Sequence, residues 1–247
     1  QFELFDYKYS KCKGIRSYNP LPEIDSSCID NAVKLINKAK KPFIVWGQGV
    51  ILGNAEDEFK SFVEKSGIPA AWTILGVSAL PTSHELNVGM VGMHGNYGPN
   101  LLTNECDLLV AIGMRFDDRV TGDPKTYANQ AKIIHLDIDP AEINKNIKVE
   151  APIIGDCKES LKLITDKIDK RSHEKWISKF DDLMKIEFDK VINSDLNPSK
   201  KGLTMGESII AINEQTNGKA IIVTDVGQHQ MVACRYANFI QSKSNIT

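Results

Sequence analysis

Apolar residues along this chain fall into two kinds of stretch. One kind is short and unbroken: FIVW at 43–46 behind Pro42, AAW closing 68–72, LLVAI at 108–112 and IIHLDI at 133–138. Such runs, rich in β-branched and aromatic residues, predict strands buried on both faces. The other kind recurs every three to four positions. Ile29, Val33, Leu35, Ile36 and Ala39 mark a helix at 26–40, Phe59, Phe62 and Val63 mark one at 56–66, and a third is expected at 156–168. Strands alternating with helices predict a parallel sheet with helices on both faces, an α/β fold in three layers spanning 26–170. Right-handed connections then bring the strand C-termini to one edge. The segments 47–49, 73–76, 113–118 and 137–139 all follow strands, so they should converge there, and that convergence is the first argument for a ligand.

Outside this unit the pattern changes. Residues 1–25 are polar, carry Pro20 and Pro22, and read as an entering linker. Trp176, Phe180, Leu183, Met184, Phe188 and Val191 lie at helical spacing among charges, which predicts an amphipathic helix packed on a neighbour. It belongs to a helical connector over 171–201, with 193–202 as a polar linker around Pro198. A second α/β unit, expected to be incomplete, covers 202–247: a helix from Leu203, a strand at 220–224, then a loop at 225–228.

Composition narrows the function classes. A net charge of −2 over 247 residues gives no electrostatic footprint for nucleic acid or an anionic membrane. No apolar run approaches the ~18–20 residues of a membrane span. The five cysteines are scattered with no CxxC pair, which argues against structural zinc and fits a reducing, cytoplasmic setting. The opening QFELFDYKYSKCK reads as neither signal peptide nor native start, so a processed or subcloned segment is expected.

Several motifs carry chemistry. Gly47-Gln48-Gly49 follows a strand, where glycines let backbone approach a diphosphate or simply make a turn; it is not GxGxxG. Asp139-Pro140-Ala141-Glu142 has the form of a capping box, with Asp139 and Glu142 structural. Asp137 ends a strand, where a carboxylate either accepts ribose hydroxyls or caps a loop. Arg115-Phe116-Asp117-Asp118-Arg119, bracketed by Gly113 and Gly122, is either a solvated charge run or a diphosphate and ring contact. His94 and His229 lie beside glycines with no nucleophile or orienting carboxylate evident, so a triad is unsupported. His84, His135 and His173 read as structural.

In order and spacing, GMHG at 92–95, GMRFDDRVTG at 113–122, KIIHLDIDPAEI at 132–143, Gly155-Asp156 and VGQHQM at 226–231 resemble the acetolactate synthase (acetohydroxyacid synthase) family of thiamine diphosphate enzymes. The likeness covers about 41–238 and weakens over 165–200. It implies the FAD-binding middle domain, then the opening of the thiamine diphosphate-binding domain. FAD would meet Gly47, Gln48, Gly49, Thr73, Ile74, Val91, Gly92, Met93 and His94. Further FAD contacts would be Gly113, Met114, Arg115, Phe116, Asp117, Asp137, Ile138, Asp156 and Cys157. Gln228 and His229 would meet thiamine diphosphate, with Arg119, Asp118 and Met93 near the substrate channel.

By the same resemblance the parent condenses pyruvate with a second 2-oxo acid, pyruvate or 2-oxobutanoate, releasing CO₂ in branched-chain amino acid biosynthesis. It would use FAD, thiamine diphosphate and Mg²⁺ as a homodimer or tetramer with a regulatory small subunit. The family's catalytic glutamate and its metal motif match no residue here, so no catalytic or metal-binding residue is assigned and the chain alone is expected to be inactive. Pyruvate oxidase or glyoxylate carboligase relatives share these cofactors, and a stand-alone nucleotide-binding module is the alternative of another class.

Overall fold

Every unbroken apolar run folds as a parallel strand in the computed structural model, which describes residues 6–11, 20–199 and 201–247. The elements in order begin with α1 (Ser26–Lys38), β1 (Pro42–Trp46), α2 (Gln48–Leu52), α3 (Glu56–Ser66), β2 (Ala70–Trp72) and β3 (Asn87–Met90). Then come α4 (Tyr97–Leu102), β4 (Leu108–Ile112), α5 (Asp118–Thr121), β5 (Lys132–Asp137), β6 (Ala151–Ile154) and α6 (Cys157–Lys167). After them α7 (Glu174–Glu187) continues through a π turn (Phe188–Ile192) into α8 (Asn193–Leu196). The C-terminal part holds α9 (Met205–Thr216), β7 (Ile222–Val223), α10 (Gln228–Tyr236) and β8 (Asn245–Ile246). Part of the expected entering linker, 1–5 and 12–19 with Cys12, lies outside the described residues.

Helix ends follow local chemistry. Asp25 caps α1 by accepting the Ser27 N–H at 2.8 Å. Helix α3 opens on Glu56, Asp57 and Glu58, which complement the positive end of its dipole, and stops at Gly67 with φ +64°. Asp156 caps α6 by accepting from the Glu159 N–H. Thr204 and Glu207 form a reciprocal capping box that starts α9.

The strands pair in the order β3-β2-β1-β4-β5-β6, all parallel. Side chains alternate across the sheet. Phe43, Val45, Leu109 and Ala111 face Leu102, Trp176 and Phe180 from α4 and α7. Ile44, Trp46, Val110 and Ile112 face the helices α1, α3 and α6 through Ile29, Ile36, Phe59, Phe62 and Leu161. Each fully buried large side chain contributes roughly 1.5–3 kcal/mol. The three-layer reading therefore holds. Among the described residues no helix is long and apolar enough to cross a membrane.

Four local expectations are corrected. The segment after β1 is a short helix, because Gly47 turns the chain straight into α2. Residues 193–196 of the expected linker are helical, continuing α7 through the π turn. The strand at 220–224 shrinks to Ile222–Val223, which pairs with β8. The Asp139 capping box is half formed. Asp139 caps a single 3₁₀ turn by accepting the Ala141 N–H, but its own N–H goes to Asp137 Oδ1 at 2.9 Å while Glu142 turns to Lys145.

Candidate functional site

Strand order sets the site. From β1 the sheet grows outward both ways, through β2 to β3 and through β4 to β6, so successive connections leave a crevice between the C-terminal ends of β1 and β4. Ligands of open α/β sheets bind at such switch points. A cleft of about 920 Å³ lies there, within the range of small-molecule sites.

Two glycine segments form its floor, locked backbone to backbone. Gly49 N–H donates to the Gly113 carbonyl at 2.8 Å. A Cβ on Gly49 would lie 2.5 Å from Gly113 Cα, and one on Gly47 would lie 2.6 Å from the Gly113 oxygen. Gly113 itself has φ +56°. The glycines are thus required by contact of one loop with the other, a reason that precedes any ligand. The floor is also braced from below, where Trp46 Nε1 donates to the Gly76 carbonyl at 2.8 Å.

One wall is the 92–95 segment. Asn100 exchanges two hydrogen bonds with Gly92, each at 2.8 Å, and Met93 N–H donates to the Arg119 carbonyl at 2.8 Å. Met93 and His94 are left exposed toward the cleft. The opposite rim follows β5. Burial pushes the Asp137 carboxyl above the usual carboxylate range, against the opposing pull of the Asp139 N–H. Behind it His135 is fully buried. Its Nε2–H donates to the Met114 carbonyl at 2.8 Å, Nδ1 finds no partner among the described residues, and burial lowers its pKa, so the neutral ring pins the 113–115 turn.

The cleft brings together Gln48, Gly49, Thr73, Ile74, Val91, Met93, His94, Gly113, Met114, Arg115, Asp117, Asp137 and Gln228, all singled out in the sequence, and also Arg119. Gly47 and Gly92 lie beneath it as buried backbone supports. Phe116 is turned inward, its ring edge-on to His135 at 4.9 Å. Asp156 and Cys157 stand under the end of α2, with the thiol pKa raised by burial. Ile138, Asp118 and His229 are exposed outside the lining. Sequence reasoning did not single out Leu52, Leu75, Met90, Val120, Val226, Gly227, Gln230 and Met231 as lining, and it read Glu142 as purely structural. Gln228 and Met231 share one face of α10, so helical spacing within VGQHQM was the usable signal.

Chemically the arrangement suits a flat, extended, anionic ligand. It offers exposed glycine backbone, the Arg115 and Arg119 guanidiniums, a strand-end carboxylate and apolar sides. Arg115 leans on Asp117 at 3.1 Å, yet its side chain is 69% exposed, so that pair holds it weakly and leaves it able to turn inward. Among the described residues no group of His, Cys, Asp and Glu could hold a metal ion.

A family model described as "Thiamine pyrophosphate enzyme, central domain" matches residues 29–164. The chain is similar to a probable acetolactate synthase large subunit of Methanococcus aeolicus, 40% identical over 240 residues, covering 92% of this chain and 40% of that protein. It is 42% identical over 228 residues to the acetolactate synthase large subunit of Corynebacterium glutamicum, covering 90% and 36%. With the chloroplastic acetolactate synthase of Arabidopsis thaliana it shares 39% over 237 residues, covering 92% and 33%. The chain thus spans between 33% and 40% of the length of these three relatives.

Proposed function

Because the chain belongs to the thiamine pyrophosphate enzyme family through a central domain at 29–164, we propose that it is the FAD-binding part of an acetolactate synthase large subunit. The whole protein would join pyruvate to a second 2-oxo acid with loss of CO₂, in the cytoplasm, as a homodimer or tetramer with a regulatory small subunit. When bound, thiamine diphosphate with Mg²⁺ supplies a carbanion-stabilising ring, and FAD fills a mainly structural place. The observation that carries the reading is the glycine-floored cleft at the β1–β4 switch point.

In that cleft the residues divide the work. Backbone at Gly49 and Gly113 would present itself to the ligand from the floor, where the two loops pack directly on each other. Arg115 neutralises diphosphate charge, Asp137 accepts ribose hydroxyls, and Thr73, Ile74 and Val91 cover the flat ring and exclude water from it. Gln228, on the opposite wall, and His229 next to it on α10 would contact thiamine diphosphate. No residue of this chain is assigned to Mg²⁺ or to proton transfer.

A flavin titration of the purified chain tests this, read by fluorescence quenching and co-elution. Saturable one-to-one FAD binding is expected, weakened about tenfold or more by Asp137→Asn or Arg115→Ala, as when a hydrogen bond to a charged group is lost. Binding untouched by both substitutions would overturn the assignment of the cleft. No binding at all would overturn the self-sufficient cofactor site.

A further inference from the structure

Helix α7, the π turn and α8 form one continuous rod that grips α10 at two points. The first is Glu187, whose side chain is only 5% exposed and whose Oε1 receives Arg235 Nη1 at 3.0 Å. The same carboxylate accepts the Tyr97 N–H at 3.0 Å and lies 3.4 Å from Asn96 Nδ2. The other guanidinium nitrogen, Arg235 Nη2, reaches the carbonyls of His94 at 3.5 Å and Gly95 at 3.4 Å. The second point is Asp195, whose Oδ2 accepts the Tyr236 phenol at 2.6 Å.

On a regular helix these carboxylates would point in diverging directions. Two α-turns take about 7.2 residues, so Asp195 would sit about 80° round the axis from Glu187. The π turn intervenes: the Asn193 N–H bonds the Phe188 carbonyl, and the wider turn takes up one extra residue. That brings Asp195 back into phase with Glu187, opposite the adjacent residues Arg235 and Tyr236.

We propose that Glu187 and Asp195 are positioning residues, a two-point clamp phased by the π turn, that fix the spacing between the cleft walls at 92–95 and 228–231. Glu187 ties the first wall through Tyr97 and, by way of Arg235, through His94 and Gly95. Both points tie the second wall through the C-terminal end of α10. Removing one partner of such a pair leaves the other charge buried and uncompensated, so each holds the other in place. That the walls bind a ligand rests on the cofactor reading above, whereas the clamp itself does not.

The test uses the full chain with amide hydrogen exchange over 92–97 and 228–236, alongside FAD titration. Lys190 is exposed on the π turn and outside the cleft. Lys190→Ala keeps the phase and should match the wild type. Inserting one further alanine after Lys190 turns Asp195 about 100° away from Glu187. It should speed exchange at 228–236 about tenfold or more, the loss of one charged hydrogen bond, and weaken FAD by a similar factor. Exchange in β1 and β4 should stay unchanged. Deleting Lys190 instead closes the π turn to a regular α-turn, keeps Asp195 in phase and should read as the wild type. Wild-type behaviour in the insertion, or altered exchange in the deletion, overturns the clamp. If the insertion fails to fold, Glu187→Gln decides: unchanged exchange at both walls overturns the proposal, and faster exchange at both supports it. If the wild type binds no FAD, the cofactor reading falls while exchange still decides the clamp.

Discussion

The two sheets among the described residues are built on opposite terms. In the six-stranded sheet, β1 and β4 are buried along their whole length and pair on both sides. In the two-stranded sheet, Val223 is 68% and Ile246 53% exposed, and each strand has a single neighbour. The first sheet is held by side-chain burial on two faces. The second is held mainly by its attachments: Phe239 is fully buried and its N–H meets Thr82 Oγ1, the Ser242 hydroxyl donates to Glu56, and Tyr236 and Arg235 are gripped from the connector. Backbone precision is concentrated at the cleft, and the C-terminal part is positioned by a few polar contacts together with the burial of Cys234, Ala237 and Phe239 in the main core.

Paired substitutions sharpen that contrast. The largest effect is expected from Gly113→Ala, which meets φ +56° and Gly49 Cα at 2.7 Å together and should cost about 3 kcal/mol or more in denaturant unfolding. Gly218→Ala at φ +69° meets nothing closer than 3.3 Å and should cost about 1–2 kcal/mol. Equal losses would erase the distinction between the two regions. Next, Val110→Thr buries a hydroxyl among apolar neighbours in β4 and should lose about 1–3 kcal/mol. Val223→Thr should stay within about 0.5 kcal/mol, as exposed substitutions do.

The most gradual effect concerns pH. Burial depresses the His135 pKa below its ordinary value of 6.5, so the unfolded chain takes up protons that the folded chain refuses. Its stability contribution is present above pH 6.5 and falls as pH drops below it. His173 acts in the same direction. The raised Asp137 pKa acts oppositely above its ordinary 3.8, because there the folded form is the one that keeps the proton. The unfolding midpoint should therefore decline from pH 7.5 toward 5.5, and His135→Asn should flatten part of that decline. An unchanged slope would mean that the imidazole titrates freely in the fold.

How legible this was in the sequence depended on burial. The central strands at 108–112 and the helix at 56–66 match their observed limits, because two-sided or one-sided burial writes a clear period. Strands β3 and β6 carried no such signal, and both are sheet edges. Edges tolerate Gly89 and Pro152, which disguise a strand as a loop. Helix α10 was equally hidden, since QHQ opens it with polar residues. In the cleft, residues delivered by strand ends could be anticipated from topology. Glu142 and Gln230 could not, as each arrives by a local turn or helix phase. The bracing role of His135 was invisible because its partner is a backbone carbonyl 21 positions away in the chain.

The strand order also carries a consequence for how the chain acquires its shape. Strand β1 pairs with β2 across a short connection that holds α2 and α3, but its other neighbour, β4, is separated from it by the 61 residues 47–107. Non-local parallel pairing is slow, since the ends of a long segment must meet before any contact rewards them. The half-sheet of β1, β2 and β3 can gather early, whereas Gly49 and Gly113 meet only when β4 docks. The cleft floor is therefore expected to form late in folding, and an amide-exchange pulse during refolding should find the β1–β2 side protected before the glycine contact has formed.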